Sequence, residues 1–249
     1  MTIQITPAIR AELAPTGRLR VGINCGNALL VNQASLGEAL VTGIVADLAD
    51  ELGRRLGVPV EQVRYPAPGK VADAAGRSVW DVAFVGAEPE RAKEIEFTAA
   101  YVEIEATYLV PAGSPITRCA DVDHKGTRIA ISGRSAYDLY LGRSLKYAEL
   151  VRVNGPEASF ELFVREKLDA LAGLRPALVV FATKLPGVRV LSDRFTAVQQ
   201  AIGVPVGRPH AAAYLRAFSE EVKASGLVAR LIAKHRIEGL SVAAAAGST

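Results

Sequence analysis

The sequence predicts an α/β protein of two lobes, each a mixed, mostly parallel sheet with helices on both faces. Three observations carry this. Short apolar runs alternate with stretches of helical spacing, the pattern of βαβ units around a mostly parallel sheet. The alternation pauses at Thr107–Pro111, where Ala112, Gly113 and Pro115 follow, and then restarts. Asp81–Tyr108 joins a buried strand, a Gly turn, a charged helix holding Arg91 and a second strand.

Leu19–Ile23 is the first buried strand, and Asn24, Cys25, Gly26 and Asn27 form the loop after it. Ile44, Leu48, Leu52 and Leu56, with Val45 and Ala49, repeat at helical spacing until Gly57 and Pro59 end the helix. Val60–Tyr65 is a strand, a Pro-rich turn leads to a short helix at Val71–Ala75, and Val79–Val85 is a strand ended by Gly86. Trp80 sits before that buried run and reads as core. The second round has strands at Arg128–Ser132, Leu150–Val153 and Asp169–Leu174. Its helices are Ala136–Tyr147 and Ala158–Leu168, the latter with Phe160, Phe163, Val164 and Leu168 inward. A strand near Phe195–Gly203 returns to the first lobe, and Arg208–Leu240 forms two helices divided by Gly226. Their apolar faces are Leu215, Phe218, Val222, Leu227 and Leu231. The expected lobes are residues 1–107 with 204–249, and residues 108–203.

Composition narrows the function. Half of the 249 residues are hydrophobic and 22% are charged, an ordinary globular composition. A net charge of +3, with both signs interspersed, gives no basic face for nucleic acid. Cys25 and Cys119 are far apart and outside any metal spacing; they read as two thiols, with a disulfide in an exported protein the other reading. No metal or other cofactor is expected, no phosphate-loop or Ser-His-Asp pattern occurs, and no apolar stretch is long enough to span a bilayer. The first residues show neither a basic start with a long apolar run nor a small-residue cleavage site.

GRLRVGIN, GIVADLADELGRRLG, PERAKEIEFTAAY and HKGTRIAISGRSAYDLYL, in this order and spacing, resemble the family 3 extracellular solute-binding proteins, the polar amino-acid receptors of ABC importers. The resemblance covers almost the whole chain and implies the type II periplasmic-binding-protein fold, with a small ligand held between the lobes. It also implies a permease partner, a monomer and no catalysis. The location would be periplasmic if a leader has been removed and cytoplasmic as the sequence stands.

The residues support a carboxylate. Val82–Val85 is a run buried on both faces, and ligands bind at the carboxyl ends of such strands. Arg91, a turn beyond Gly86, can grip a carboxylate with two parallel hydrogen bonds. The plainer reading pairs Arg91 with Glu88, Glu90 or Glu94 on a solvated helix. The resemblance assigns the ligand carboxylate to Arg91, to the turn at Gly86 and to the helix start Ser132-Gly133-Arg134-Ser135. A helix N-terminus with unpaired N–H groups attracts an anion. Equally, Ser132 or Ser135 only caps the helix. Arg134 is expected at the cleft or its rim.

Departures from the family pattern point to the ligand. Leu174, followed by Arg175, stands where relatives carry an acid for the ligand α-ammonium. Asn24 replaces a frequent Asp, Asn27 a frequent aromatic and Gly86 a frequent Ser or Thr. Tyr65 remains as an apolar wall. A carboxylate or polar solute without the ammonium suits this set; Asp169 or Glu161 would supply the missing charge if the placement of Leu174 is shifted. Two alternatives are an enzyme on the same scaffold, like the cyclohexadienyl dehydratases that act on arogenate and prephenate, and an intracellular metabolite sensor. An eliminating enzyme needs a general acid at the substrate, whereas His124, His210 and His235 all read as solvent-facing.

Overall fold

The computed structural model describes residues 4–32 and 40–247. Thr6 starts the first element: its hydroxyl accepts the Ile9 amide at 3.3 Å, and Pro7 takes the first helical position, giving α1 (Pro7–Leu13). The amphipathic α2 (Ile44–Leu56) follows β1 (Leu19–Asn24) and stops at Gly57, whose φ of 67° is left-handed. Next come β2 (Val60–Tyr65), α3 (Pro68–Asp73), β3 (Val82–Gly86), a single 3-10 turn at Arg91–Lys93, β4 (Ile95–Phe97) and the long β5 (Val102–Pro111). The chain continues through β6 (Arg128–Ser132), α4 (Ala136–Ser144), β7 (Glu149–Val153), α5 (Pro156–Arg165) and β8 (Ala170–Leu174). It ends with α6 (Arg175–Lys184), β9 (Val188–Val190), β10 (Thr196–Pro205), α7 (Pro209–Ala224), α8 (Leu227–Lys234) and β11 (Leu240–Val242).

The class is the mixed α/β one that the sequence predicts. The chain divides into two compact units: the described residues up to Glu103 with those from Gln199 onward, and Ile104–Val198. In the first, the strand order is β2-β1-β3-β10, with β4 also on β10. β1 runs parallel to β2 and β3, and β10 antiparallel to β3 and β4. In the second, the order is β5-β8-β6-β7 with β9 on β5; β6 is parallel to both neighbours. Alternate residues of β6 serve opposite faces. Ile129 and Ile131 join Tyr137 and Leu141 of α4, while Ala130 joins Leu162 and Phe163 of α5 and Leu178 and Phe181 of α6. That unit therefore carries helices on both faces of its sheet.

One buried charge holds the first unit together. Asp81 is fully buried, and both its oxygens are used. Oδ2 accepts the Arg20 amide at 3.1 Å and Nε at 2.9 Å; Oδ1 accepts one Arg20 terminal nitrogen at 2.7 Å and one from Arg208 at 3.2 Å. Arg208 also donates to the Glu12 carbonyl at 2.8 Å, and the Glu12 carboxylate accepts the Ala211 amide at 2.7 Å. The clasp joins β1, the start of β3, α7 and α1.

Several boundaries differ from the sequence reading, each for a local reason. The charged helix expected around Arg91 is only the 3-10 turn. β3 begins at Val82 rather than Val79, because Trp80 turns into the core, fully buried with its indole donating to the Val71 carbonyl at 3.1 Å. α4 ends at Ser144 because the Asp123 carboxylate gathers the amides of Lys146, Tyr147 and Ala148. α5 opens early on Pro156 and is over before Lys167, whose φ is 49°. Its buried face includes Leu162, 3% exposed, whereas Val164 is 42% exposed and not inward. α1 and α6 were not anticipated; the two exposed valines of α6, Val179 and Val180, break its apolar periodicity.

Replacing Asp81 by Ala strands two guanidinium groups in and around the core of this unit. Breaking a buried ion pair from one side costs about 3–5 kcal/mol, so urea denaturation is expected to show a loss of that size; a loss no larger than that of a surface substitution would contradict the clasp.

Candidate functional site

The first unit gathers five of the expected residues at one sheet edge. β2, β1 and β3 are parallel and end together: Asn24 pairs with Tyr65, and Ile23 with Phe84, which leaves Gly86 just beyond. The carboxyl ends of such strands are where an open α/β sheet places its ligands. After β1 the chain makes two side-chain-capped turns. Asn24 Oδ1 accepts the Gly26 amide at 3.1 Å, and Asn27 Oδ1 accepts the Leu29 amide at 3.2 Å. A side chain on Gly26 would come within 2.7 Å of the Pro66 carbonyl, so the turn requires Gly. Asn27 is 9% exposed.

Arg91 is likewise buried, at 5% exposure. Its side chain reaches back to the end of β3, one terminal nitrogen donating to the Gly86 carbonyl at 2.6 Å. The Arg91 amide donates to the Glu88 carbonyl at 3.0 Å, closing the turn that aims it. It is not the splayed residue of a solvated helix. Tyr65 is half-buried, and burial raises its phenol despite the opposing charge of Arg77. It walls a hollow of about 290 Å³ with Pro66, Lys70, Asp73, Ala74 and Arg77.

The second unit gathers another group at its own edge. Ser132 ends β6 opposite Val153 of β7, while Leu174 ends the adjoining β8. Between β6 and α4, Gly133 donates to the Val153 carbonyl at 2.8 Å and Arg134 adopts a left-handed φ of 60°. Ser135 caps α4, its hydroxyl accepting the Asp138 amide at 3.1 Å. Tyr137 bonds through its hydroxyl with Ser135 and Ser132, and burial pushes the phenol up to about 12.

Asp138 is the residue that sequence reasoning missed. It is 3% exposed; Oδ2 accepts the Arg134 amide at 2.7 Å and Oδ1 accepts Arg152 Nε at 2.8 Å. The helix start expected to welcome an external anion thus already carries one of the chain's own. The only signal was the Ser-x-x-Asp spacing of a capping box, Ser135 to Asp138.

Arg175 belongs elsewhere. Nε meets Glu105 at 2.7 Å, and the terminal nitrogens donate to the carbonyls of Leu191 at 2.7 Å, Ser192 at 3.0 Å and Asp193 at 2.8 Å. It fastens α6 to β5 and to the segment before β10. Leu174 leans partly buried on the core cluster of Tyr108 and Ile131. Asp169, the alternative source of charge, precedes β8, at the opposite end from Leu174, and holds the Arg128 amide at 2.8 Å; Glu161 is exposed on α5. Of the histidines, His124 and His210 are exposed. His235 does not face solvent as expected: it is half-buried, with Nε2 2.7 Å from Asp47.

The family profile of the bacterial extracellular solute-binding proteins, family 3, matches residues 27–237. The chain belongs to that family. No curated protein matches it. Among solved structures, this family 3 protein is similar to a mutant of ArgBP from T. maritima, with 23% identity over 91% of this chain and 98% of that one, and a TM-score of 0.74. It is similar to a putative ABC transporter binding component from Wolinella succinogenes complexed with lysine, with 20% identity, 88% and 95% coverage and a TM-score of 0.75. A third is the ancestral amino acid-binding protein AncCDT-1, a precursor of cyclohexadienyl dehydratase, with 23% identity, 90% and 97% coverage and a TM-score of 0.72. At these identities the likeness shows the two-lobed fold alone. No helix among the described residues is long and apolar enough to cross a membrane.

Because Arg175 spends its donors within its own unit, Arg175→Ala should weaken the fold. Losing hydrogen bonds to a charged group costs about 2 kcal/mol, or about 4–8 °C in melting temperature for a chain of this size. A melting temperature that the substitution leaves unmoved would contradict this role.

Proposed function

We propose that this family 3 protein captures a small carboxylated solute for an ABC importer, outside the cytoplasm as the family's description has it, and performs no chemistry on it. The expected lobes, residues 1–107 with 204–249 and residues 108–203, would close on the ligand by hinge motion. The observation that carries this reading is Arg91, a guanidinium almost wholly buried at the carboxyl end of β3 and aimed by the Gly86 carbonyl. A guanidinium at that edge can take a ligand carboxylate with two parallel hydrogen bonds. Catalysis on this scaffold is favoured by one observation, the likeness to a dehydratase precursor. Against it, His124 precedes β6 and His235 is tied to Asp47.

Arg91→Ala tests the anchor. Truncating one partner of a desolvated charge pair costs about 2–5 kcal/mol, and glutarate affinity by calorimetry should fall accordingly with circular dichroism unchanged. Undiminished affinity would make Arg91 a purely structural residue.

The ligand we propose lacks an α-ammonium. Relatives named for arginine or lysine complexes favour amino acids, but Leu174 stands where the acid would be and Asp169 lies at the far end of β8. Glutarate is therefore expected to bind more tightly than L-glutamate in paired titrations. Tighter glutamate binding, with a carboxylate touching its nitrogen in a co-crystal, would overturn this choice.

A further inference from the structure

The two asparagines after β1 are polarised by the turns they make. A backbone N–H can only donate, so the atoms meeting Gly26 N and Leu29 N are the carbonyl oxygens of the Asn24 and Asn27 amides. Each Oδ1 therefore faces its own turn, and each Nδ2, on the far arm of a planar amide, faces away with two N–H donors. Neither Nδ2 has a partner among the described residues. Asn27 is 9% exposed, and its Nδ2 is not one of the fully buried polar atoms left unsatisfied among the described residues. The backbone enforces the arrangement: the Asn27 amide donates to the Asn24 carbonyl at 3.4 Å, and Gly26 is wedged against Pro66.

Both amides stand at the end of β1, beside the β3 end that carries Gly86 and Arg91. We propose that Asn24 and Asn27 set ligand specificity by demanding a second hydrogen-bond acceptor, so that the preferred substrates are short dicarboxylates. This rests on the reading of Arg91 as the seat of the first carboxylate. An ammonium or guanidinium brought to the same place would set donors against donors and lose its water without replacement. A second carboxylate fills both Nδ2 groups.

Three probes of equal chain length separate the cases: glutarate, δ-aminovalerate and valerate, ending in a carboxylate, an ammonium and a methyl group. In calorimetric titrations of the whole chain, glutarate should bind about tenfold or more tightly than δ-aminovalerate, the factor expected of one hydrogen bond to a charged group. Asn27→Asp turns the donor into an acceptor at unchanged size. It should lower glutarate affinity about tenfold, raise that of δ-aminovalerate and leave valerate unchanged. Asn24→Asp, at a half-buried position, gives the same reversal if the Asn27 variant fails to fold. Binding of all three probes without preference for glutarate, or a glutarate to δ-aminovalerate ratio unmoved by both substitutions, overturns this inference and leaves carboxylate capture standing. No binding of any probe by a folded chain overturns carboxylate capture, and this inference with it.

Discussion

The buried carboxylate of Asp81 is the constraint on which the first unit depends. An ionised group without water must be met on every lone pair. Here Arg20 supplies both side-chain and backbone donors, and Arg208 supplies another. Satisfying it draws the starts of β1 and β3 together and fixes α7, and through Glu12 α1, against them. Parallel strands advance by about 3.3 Å per residue, so strands matched at their starts also finish level. The alignment of Asn24 and Gly86 at the other edge is thus set from the far end of the sheet.

Electrostatic roles differ between the two edges. In the first unit a buried guanidinium and two outward amides make the edge one of donors. In the second, Asp138 already occupies the start of α4, held by the Arg134 amide and by Arg152. A helix dipole with its own anion in place has little left for another. What remains there is a set of hydroxyls, with Tyr137 bonded to both Ser132 and Ser135.

Most of the fold was legible because its signals are local. A run such as Val82–Val85, apolar at successive positions, short and closed by Gly86, reads as a strand buried on both sides. α2 announced itself by spacing and by Gly57. Misreadings arose where a distant group overrode the local pattern. Asp123 pulled Lys146, Tyr147 and Ala148 out of the helix that their propensities suggest. The apolar face of α5 rotated from Val164 to Leu162 because the sheet beneath, not the sequence, chooses which side is down. Asp47 similarly claimed His235 from another helix.

The candidate site divides along the same line. Arg91 and Arg175 both follow the end of a buried strand, and nothing local distinguishes them. The sequence alone determined where strands end, and hence which residues could stand at a ligand edge, because apolar periodicity and turn chemistry involve neighbours in the chain. Only the tertiary structure decided which of those residues keep hydrogen bonds to offer. Glu105 and the carbonyls of Leu191, Ser192 and Asp193 converge on Arg175 from remote parts of the chain, whereas the Nδ2 groups of Asn24 and Asn27 meet no partner among the described residues. A hydrogen bond is satisfied by whatever the fold brings within about 3 Å, and that distance is set by packing between segments far apart in sequence.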